Sequence, residues 1–100
     1  MDLGVRDRHY VLLGGSRGMG FEAGRVLAAD GARLTLISRT AAQVEAAAQT
    51  LIDEFGIEAL ALTADAMEPD DVTGAMAHAI ERFGAPRGLL VTSGLTFRNG

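Results

Sequence analysis

Short apolar runs and longer stretches of helical spacing alternate along the chain, separated by glycine or proline. The first run, Tyr10-Val11-Leu12-Leu13, leads directly into Gly14-Gly15-Ser16-Arg17-Gly18-Met19-Gly20. From about Gly18 to Asp30 the positions Met19, Ala23, Val26 and Leu27 recur at helical spacing, and Gly31 supplies a stop. Residues 33–38, centred on Leu34, Leu36 and Ile37, predict a second strand. Thr40 and Gln43 have capping-box spacing, which predicts that the hydroxyl and the amide satisfy exposed backbone donors where the next helix starts. Val44, Ala47, Ala48, Leu51 and Phe55 form the apolar stripe of that helix, and Gly56 ends it. Residues 57–63 read as a third strand. Pro69 suits the first turn of a third helix because its missing donor has no partner there, and Asp70 and Asp71 favour the positive end of the dipole. Val72, Met76, Ala79, Ile80 and Phe83 are its expected buried face, closed by Gly84 and Pro86. Leu89-Leu90-Val91 reads as a fourth strand and residues 92–100 as loop.

The predicted order is β-α-β-α-β-α-β. Strands with leucine and valine at consecutive positions are expected to be covered on both faces, as in a parallel sheet crossed by helices. Right-handed crossovers favour a strand order of 3-2-1-4 in a three-layer α/β/α arrangement, half of a doubly wound domain. A length of 100 residues holds one domain.

Composition narrows the partners. The chain is 48% hydrophobic and 22% charged, as in a globular domain. Its net charge is −4, and all nine basic residues are arginines scattered along the chain, so no basic stripe exists for a nucleic-acid backbone or an anionic membrane. With no cysteine there is no disulfide framework or thiolate chemistry, which suits a reducing cytoplasm. The first eight residues mix charges where a signal peptide would be apolar, and no apolar run reaches the length of a bilayer span.

Two spacings compete in the glycine cluster. Residues 18–23 match G-x-G-x-x-A, but that motif begins where a strand stops, and the strand stops at Leu13. Gly14-x-x-x-Gly18-x-Gly20 fits better: Gly14 allows the turn, while Gly18 and Gly20 let a ligand approach the helix start. There a diphosphate meets free N–H groups and the positive end of the dipole. A plain strand-to-helix turn is the bland alternative. A P-loop needs a lysine after its second glycine, and the chain has none. A cofactor with free ribose hydroxyls usually meets an acidic residue at the end of the second strand, where this chain carries Ser38 and Arg39. An arginine cannot accept from hydroxyls, but it can hold a 2′-phosphate by charge-assisted hydrogen bonds worth roughly 1.5–3 kcal/mol, about ten- to hundredfold in affinity. Arg17 could clamp the same phosphate. The expected cofactor is therefore NADP(H) in preference to NAD(H).

These residues resemble the short-chain dehydrogenase/reductase family over essentially the whole chain. Residues 12–20 look like its Thr-Gly-x-x-x-Gly-x-Gly loop, with Leu13 in the threonine's place, and Ser38-Arg39 looks like its NADP-preferring variant. The resemblance implies a Rossmann-type fold, a role for Asp65 near the adenine amino group, and hydride transfer between a nicotinamide cofactor and a carbonyl or alcohol substrate. Two departures stand out. Thr92-Ser93-Gly94 replaces the family's Asn-Asn-Ala-Gly after the fourth strand, where the two hydroxyls could still serve the cofactor's ribose or the neighbouring strand, or simply end the strand. Tyr10 is the one tyrosine and no lysine exists, so the family's Tyr-x-x-x-Lys pair cannot be assembled.

The expected cofactor-binding set is Gly14, Ser16, Arg17, Gly18, Met19, Gly20, Ser38, Arg39, Asp65, Thr92 and Ser93, with no catalytic residue and no metal ligand. His9 and His78 lack partner acids at ligand spacing and read as surface residues, and Ser16 and Ser93 have no base for nucleophilic chemistry. The expected whole is the NADP(H)-binding portion of a longer reductase, truncated after its fourth strand, with substrate contacts only in the longer chain. The edge left by Leu89-Leu90-Val91 invites association into homo-oligomers. A non-catalytic nucleotide-sensing module is the alternative. A methyltransferase-like domain is disfavoured by Arg39, because that fold also usually has an acid there.

Overall fold

The computed structural model describes residues 6–14, 18–65 and 67–91. The elements are β1 (His9–Leu13), α1 (Gly18–Ala29), β2 (Arg33–Ser38), α2 (Ala41–Phe55), β3 (Ala59–Thr63), α3 (Pro69–Phe83) and β4 (Gly88–Val91). The strands form one parallel sheet in the order β3-β2-β1-β4. This is the expected order and layering.

Two apolar clusters show which helices cover which face. Leu12, Leu34 and Leu36 point to one side and pack with Ala28 of α1 and Val44, Ala47 and Leu51 of α2. Val11, Leu13 and Ile37 point to the other and pack with Ala75 of α3. The alternation follows from the two-residue repeat of a strand, with a helical layer on each side. β1 and β2 are therefore buried on both faces, as their apolar runs predict.

Cover is thinner at the edges. Leu89 and Val91 pair with Val11 and Leu13 and so share the face of α3, yet they are 51% and 55% exposed. On α3 the buried residues are Ala75 and Ala79, whereas Ile80, expected inside, is 43% exposed. Small side chains let α3 lie close over β2 and β3, and this orientation turns Ile80 away. Val26 of α1 is likewise exposed, because Gly20, Gly24 and Ala28 take the inward face. The capping box expected at Thr40 and Gln43 does not form: Thr40 is the N-cap without a side-chain bond, and its own amide donates to Ser38 Oγ at 3.3 Å. Residues 40–43 are all exposed, so the first-turn donors face solvent and need no internal acceptor.

His9 corrects a second expectation, since it is buried while His78 is exposed. Its Nδ1 lies 2.9 Å from the Gly84 carbonyl oxygen, and its Nε2 lies 2.8 Å from Thr35 Oγ1. A carbonyl can only accept, so Nδ1 donates; in the neutral ring Nε2 then accepts from the Thr35 hydroxyl. The ring also meets Phe83 edge-on at 5.2 Å. His9 thereby ties the end of α3 to β1 and β2. His9→Ala is expected to cost about 2–3 kcal/mol, because the buried Thr35 hydroxyl loses its partner and a cavity opens. Urea denaturation should show a lower midpoint at unchanged slope.

Candidate functional site

Parallel pairing brings the carboxyl ends of all four strands to one edge. Leu13 pairs with both Ile37 and Val91, and Ser38 pairs with Thr63. In open α/β sheets ligands bind outside these ends, where neighbouring connections leave on opposite faces. Here α1 leaves β1 on one face and α3 reaches β4 from the other, so the crevice lies between β1 and β4.

Gly14 ends β1 with φ 83, and its N–H donates to the Ile37 carbonyl at 2.6 Å. Gly18 opens α1 with φ 65, a conformation that a β-carbon would strain. A β-carbon built at Gly18 meets no described residue within 4 Å. No acidic residue lies in the first turn of α1, whereas α3 carries Asp70 and Asp71 in its own. The positive end of α1 is thus left without a carboxylate from its first turn, which suits an anion. Met19 is the second helical residue, and Gly20 is buried one residue further.

Ser38 closes β2, nearly buried at 9% exposure. Arg39 follows it, exposed at the same edge. Among the described residues Arg25 pairs with Glu54 and Arg33 with Glu58, while Arg39 has no carboxylate partner. Asp65 lies two residues beyond β3 and is partly buried. Its Oδ1 accepts from the Met67 N–H at 2.9 Å, and its own N–H lies 3.4 Å from Asp71 Oδ2. Part of its bonding capacity therefore shapes the local turn, and Oδ2 has no partner among the described residues.

The edge thus brings together Gly14, Gly18, Met19, Gly20, Ser38, Arg39 and Asp65. Ser16, Arg17, Thr92 and Ser93 lie outside the described residues. A left-handed glycine, a helix start without an acid in its first turn and an arginine at the end of β2 with no carboxylate partner among the described residues fit a dinucleotide. The described residues contain no group of three or more potential metal ligands, and no helix among them is long and apolar enough to cross a membrane. A cleft of about 550 Å³ lined by Asp7, Arg8, His9, Phe83, Ala85 and Arg87 lies at the opposite edge and shares no residue with this site.

Sequence reasoning passed over Gly24. It sits on the inward face of α1, one turn after Gly20, and the repeat of glycine at four-residue spacing was the available signal.

Comparison with known proteins agrees with the geometry. A family model described as short chain dehydrogenase matches residues 8–99. A 3-dehydrosphinganine reductase of Arabidopsis thaliana is 29% identical over 91 residues, covering 91% of this chain and 27% of that protein. The structure of L-sorbose reductase from Gluconobacter frateurii, complexed with NADPH and L-sorbose, superposes with a TM-score of 0.85 at 28% identity, covering 89% of this chain and 34% of the other. An alcohol dehydrogenase from Thermococcus sibiricus, complexed with 5-hydroxy-NADP, superposes with a TM-score of 0.79 at 32% identity, covering 82% and 35%. The chain spans about a third or less of the length of each of these proteins.

Proposed function

This chain belongs to the short-chain dehydrogenase family, and from that premise we propose that it forms the NADP(H)-binding portion of a reductase acting on a carbonyl or alcohol substrate. The observation that carries the reading is the convergence, on one sheet edge, of the α1 start and the exposed Arg39, which has no carboxylate partner among the described residues. Gly14, Gly18 and Gly20 would admit the diphosphate to the helix start. Arg39, with Arg17, would hold the 2′-phosphate, while Ser38 and Asp65 would border the adenosine and Thr92 and Ser93 the nicotinamide ribose. The bound cofactor supplies or takes the hydride. Complexes of similar proteins with NADPH and 5-hydroxy-NADP support the choice of cofactor. The reading includes a cytoplasmic location, in keeping with a chain without cysteine, and self-association at the exposed β4 edge.

A second reading, a nucleotide-sensing module without chemistry, is favoured by the lack of any lysine in these 100 residues. Titration of the chain with NADPH and NADH tests what both readings share. NADPH is expected to bind about tenfold more tightly or better. Equal affinities would remove the phosphate role of Arg17 and Arg39, and binding of neither nucleotide would overturn the site.

A further inference from the structure

The cleft at the amino ends of the strands has chemistry of its own. Arg8 immediately precedes β1, and Arg87 immediately precedes β4, the strand paired beside it. Both line the cleft together with Asp7, His9 and Phe83. Backbone bonds hold them there: the Arg87 N–H donates to the His9 carbonyl at 2.6 Å, and the Arg8 carbonyl accepts from the Arg33 N–H at 2.8 Å. Both arginines are exposed, and neither has a carboxylate partner among the described residues, whereas Arg25 and Arg33 do. The end of α3 also reaches this cleft, but its needs are met elsewhere. Its last carbonyls form the negative end of the helix dipole; Arg82 is the basic residue of that last turn, and His9 Nδ1 donates to the Gly84 carbonyl. Arg82 stacks over the Phe83 ring at 4.7 Å.

Both ring nitrogens of His9 are bonded. The polar side chains of the lining that lack a partner among the described residues are therefore the two guanidiniums and the Asp7 carboxylate. Asp7 is the one residue other than glycine with a positive φ among the described residues, at 63, and its N–H donates to the Gly31 carbonyl at 2.9 Å. A side chain held in the left-handed region costs conformational energy, and such residues gather at binding sites. The chain as a whole carries −4, so a concave site with two guanidiniums against one carboxylate runs counter to its general charge. Its volume of about 550 Å³ lies within the range of small-molecule sites, about 300–1,000 Å³. Guanidiniums hold carboxylate and phosphate oxygens by charge-assisted hydrogen bonds, whereas an ionised carboxylate only accepts. We propose that this cleft binds a small organic oxyanion that also carries a hydroxyl. Arg8 and Arg87 hold the acidic group, Asp7 accepts from the hydroxyl, and the partly buried Phe83 ring supplies the apolar wall. The site lies at the other end of the strands from Gly14, Gly18 and Arg39, so this ligand is separate from the dinucleotide.

The test follows the amide resonances of Arg8, His9 and Arg87 in the 100-residue chain during titration with glycerol phosphate and with glycerate, each against sodium chloride at equal ionic strength. Both probes carry an acidic group beside a hydroxyl, and the tighter one identifies the acid as phosphate or carboxylate. A saturable shift of the three resonances is expected, with a dissociation constant of about 1–10 mM or tighter. Arg8→Gln/Arg87→Gln is expected to weaken binding about tenfold at an unchanged melting temperature, since both positions are exposed. Asp7→Gly removes the acceptor and suits the positive φ; it is expected to bring glycerol phosphate to within about twofold of methyl phosphate, which lacks the hydroxyl. Resonances that stay in place, that follow sodium chloride equally, or that shift as strongly in the double arginine variant overturn the proposal. So does a preference for glycerol phosphate over methyl phosphate that survives Asp7→Gly. A shift confined to Gly18 and Gly20 overturns it as well, because the anion then sits at the start of α1.

Discussion

Arg39→Asp is expected to move cofactor preference from NADPH toward NADH by about tenfold or more. Two effects act in the same direction. Removing the guanidinium takes away charge-assisted hydrogen bonds to the 2′-phosphate, each worth roughly 1.5–3 kcal/mol at full strength and less at an exposed residue such as Arg39. The new carboxylate repels a phosphate dianion and can accept from the ribose hydroxyls of NADH, the usual task of an acid at this strand end. The fold should hardly register the change, because Arg39 has no ion pair with a described residue; exposed substitutions of this kind stay within about 0.5 kcal/mol. Dissociation constants for both nucleotides, measured beside the melting temperature, separate the effects. An unchanged NADPH to NADH ratio would return Arg39 to the ordinary solvated surface.

The second large effect is the absence of turnover: saturated with NADPH, the 100-residue chain is expected to reduce no ketone above the buffer rate. Hydride arriving at a carbonyl carbon leaves charge on oxygen, and a proton donor must meet it. A positioned general acid contributes typically about 10²–10⁴-fold. Tyr10 is the one tyrosine of the chain. It lies near the start of β1 and packs with the cluster under α1 and α2, at the edge away from the glycine loop. No lysine is present to lower a phenol pKa or hold a ribose. Loss of reduced-nicotinamide absorbance across a panel of ketones measures this directly. Robust turnover would show that another group supplies the proton.

The elements and their order were legible because each carries its own local signal. Residues 33–38 carry a strand pattern and form β2, while Val44, Ala47, Ala48 and Leu51 recur at the spacing of one helix face and are buried in α2. Depth of burial was less legible. Leu36 and Leu89 are the same residue type in strands on either side of β1, yet one is fully buried and the other 51% exposed. The difference is cover: Leu36 lies in an inner strand beneath α2, and Leu89 in an edge strand that α3 does not overlie. Val26 and Ile80 looked apolar enough for the core, but the inward faces of α1 and α3 went to glycine and alanine, whose small size permits close approach. Nothing near His9 in the chain signals its burial, because both its partners, Thr35 and the Gly84 carbonyl, are distant in sequence.

The candidate site divides in the same way. Strand, glycine cluster, helix and arginine are local features, and the sequence alone determined them together with the β-α alternation, because turn chemistry and hydrophobic period depend only on near neighbours. Tertiary structure decided that Gly14, Gly18, Arg39 and Asp65 share one edge, since only parallel pairing in the order β3-β2-β1-β4 places those four strand ends side by side. It also decided that Gly24 faces Leu12 and that His9 is buried. Both follow from contacts between elements, whose distances depend on how helices settle on a sheet rather than on any one stretch of chain.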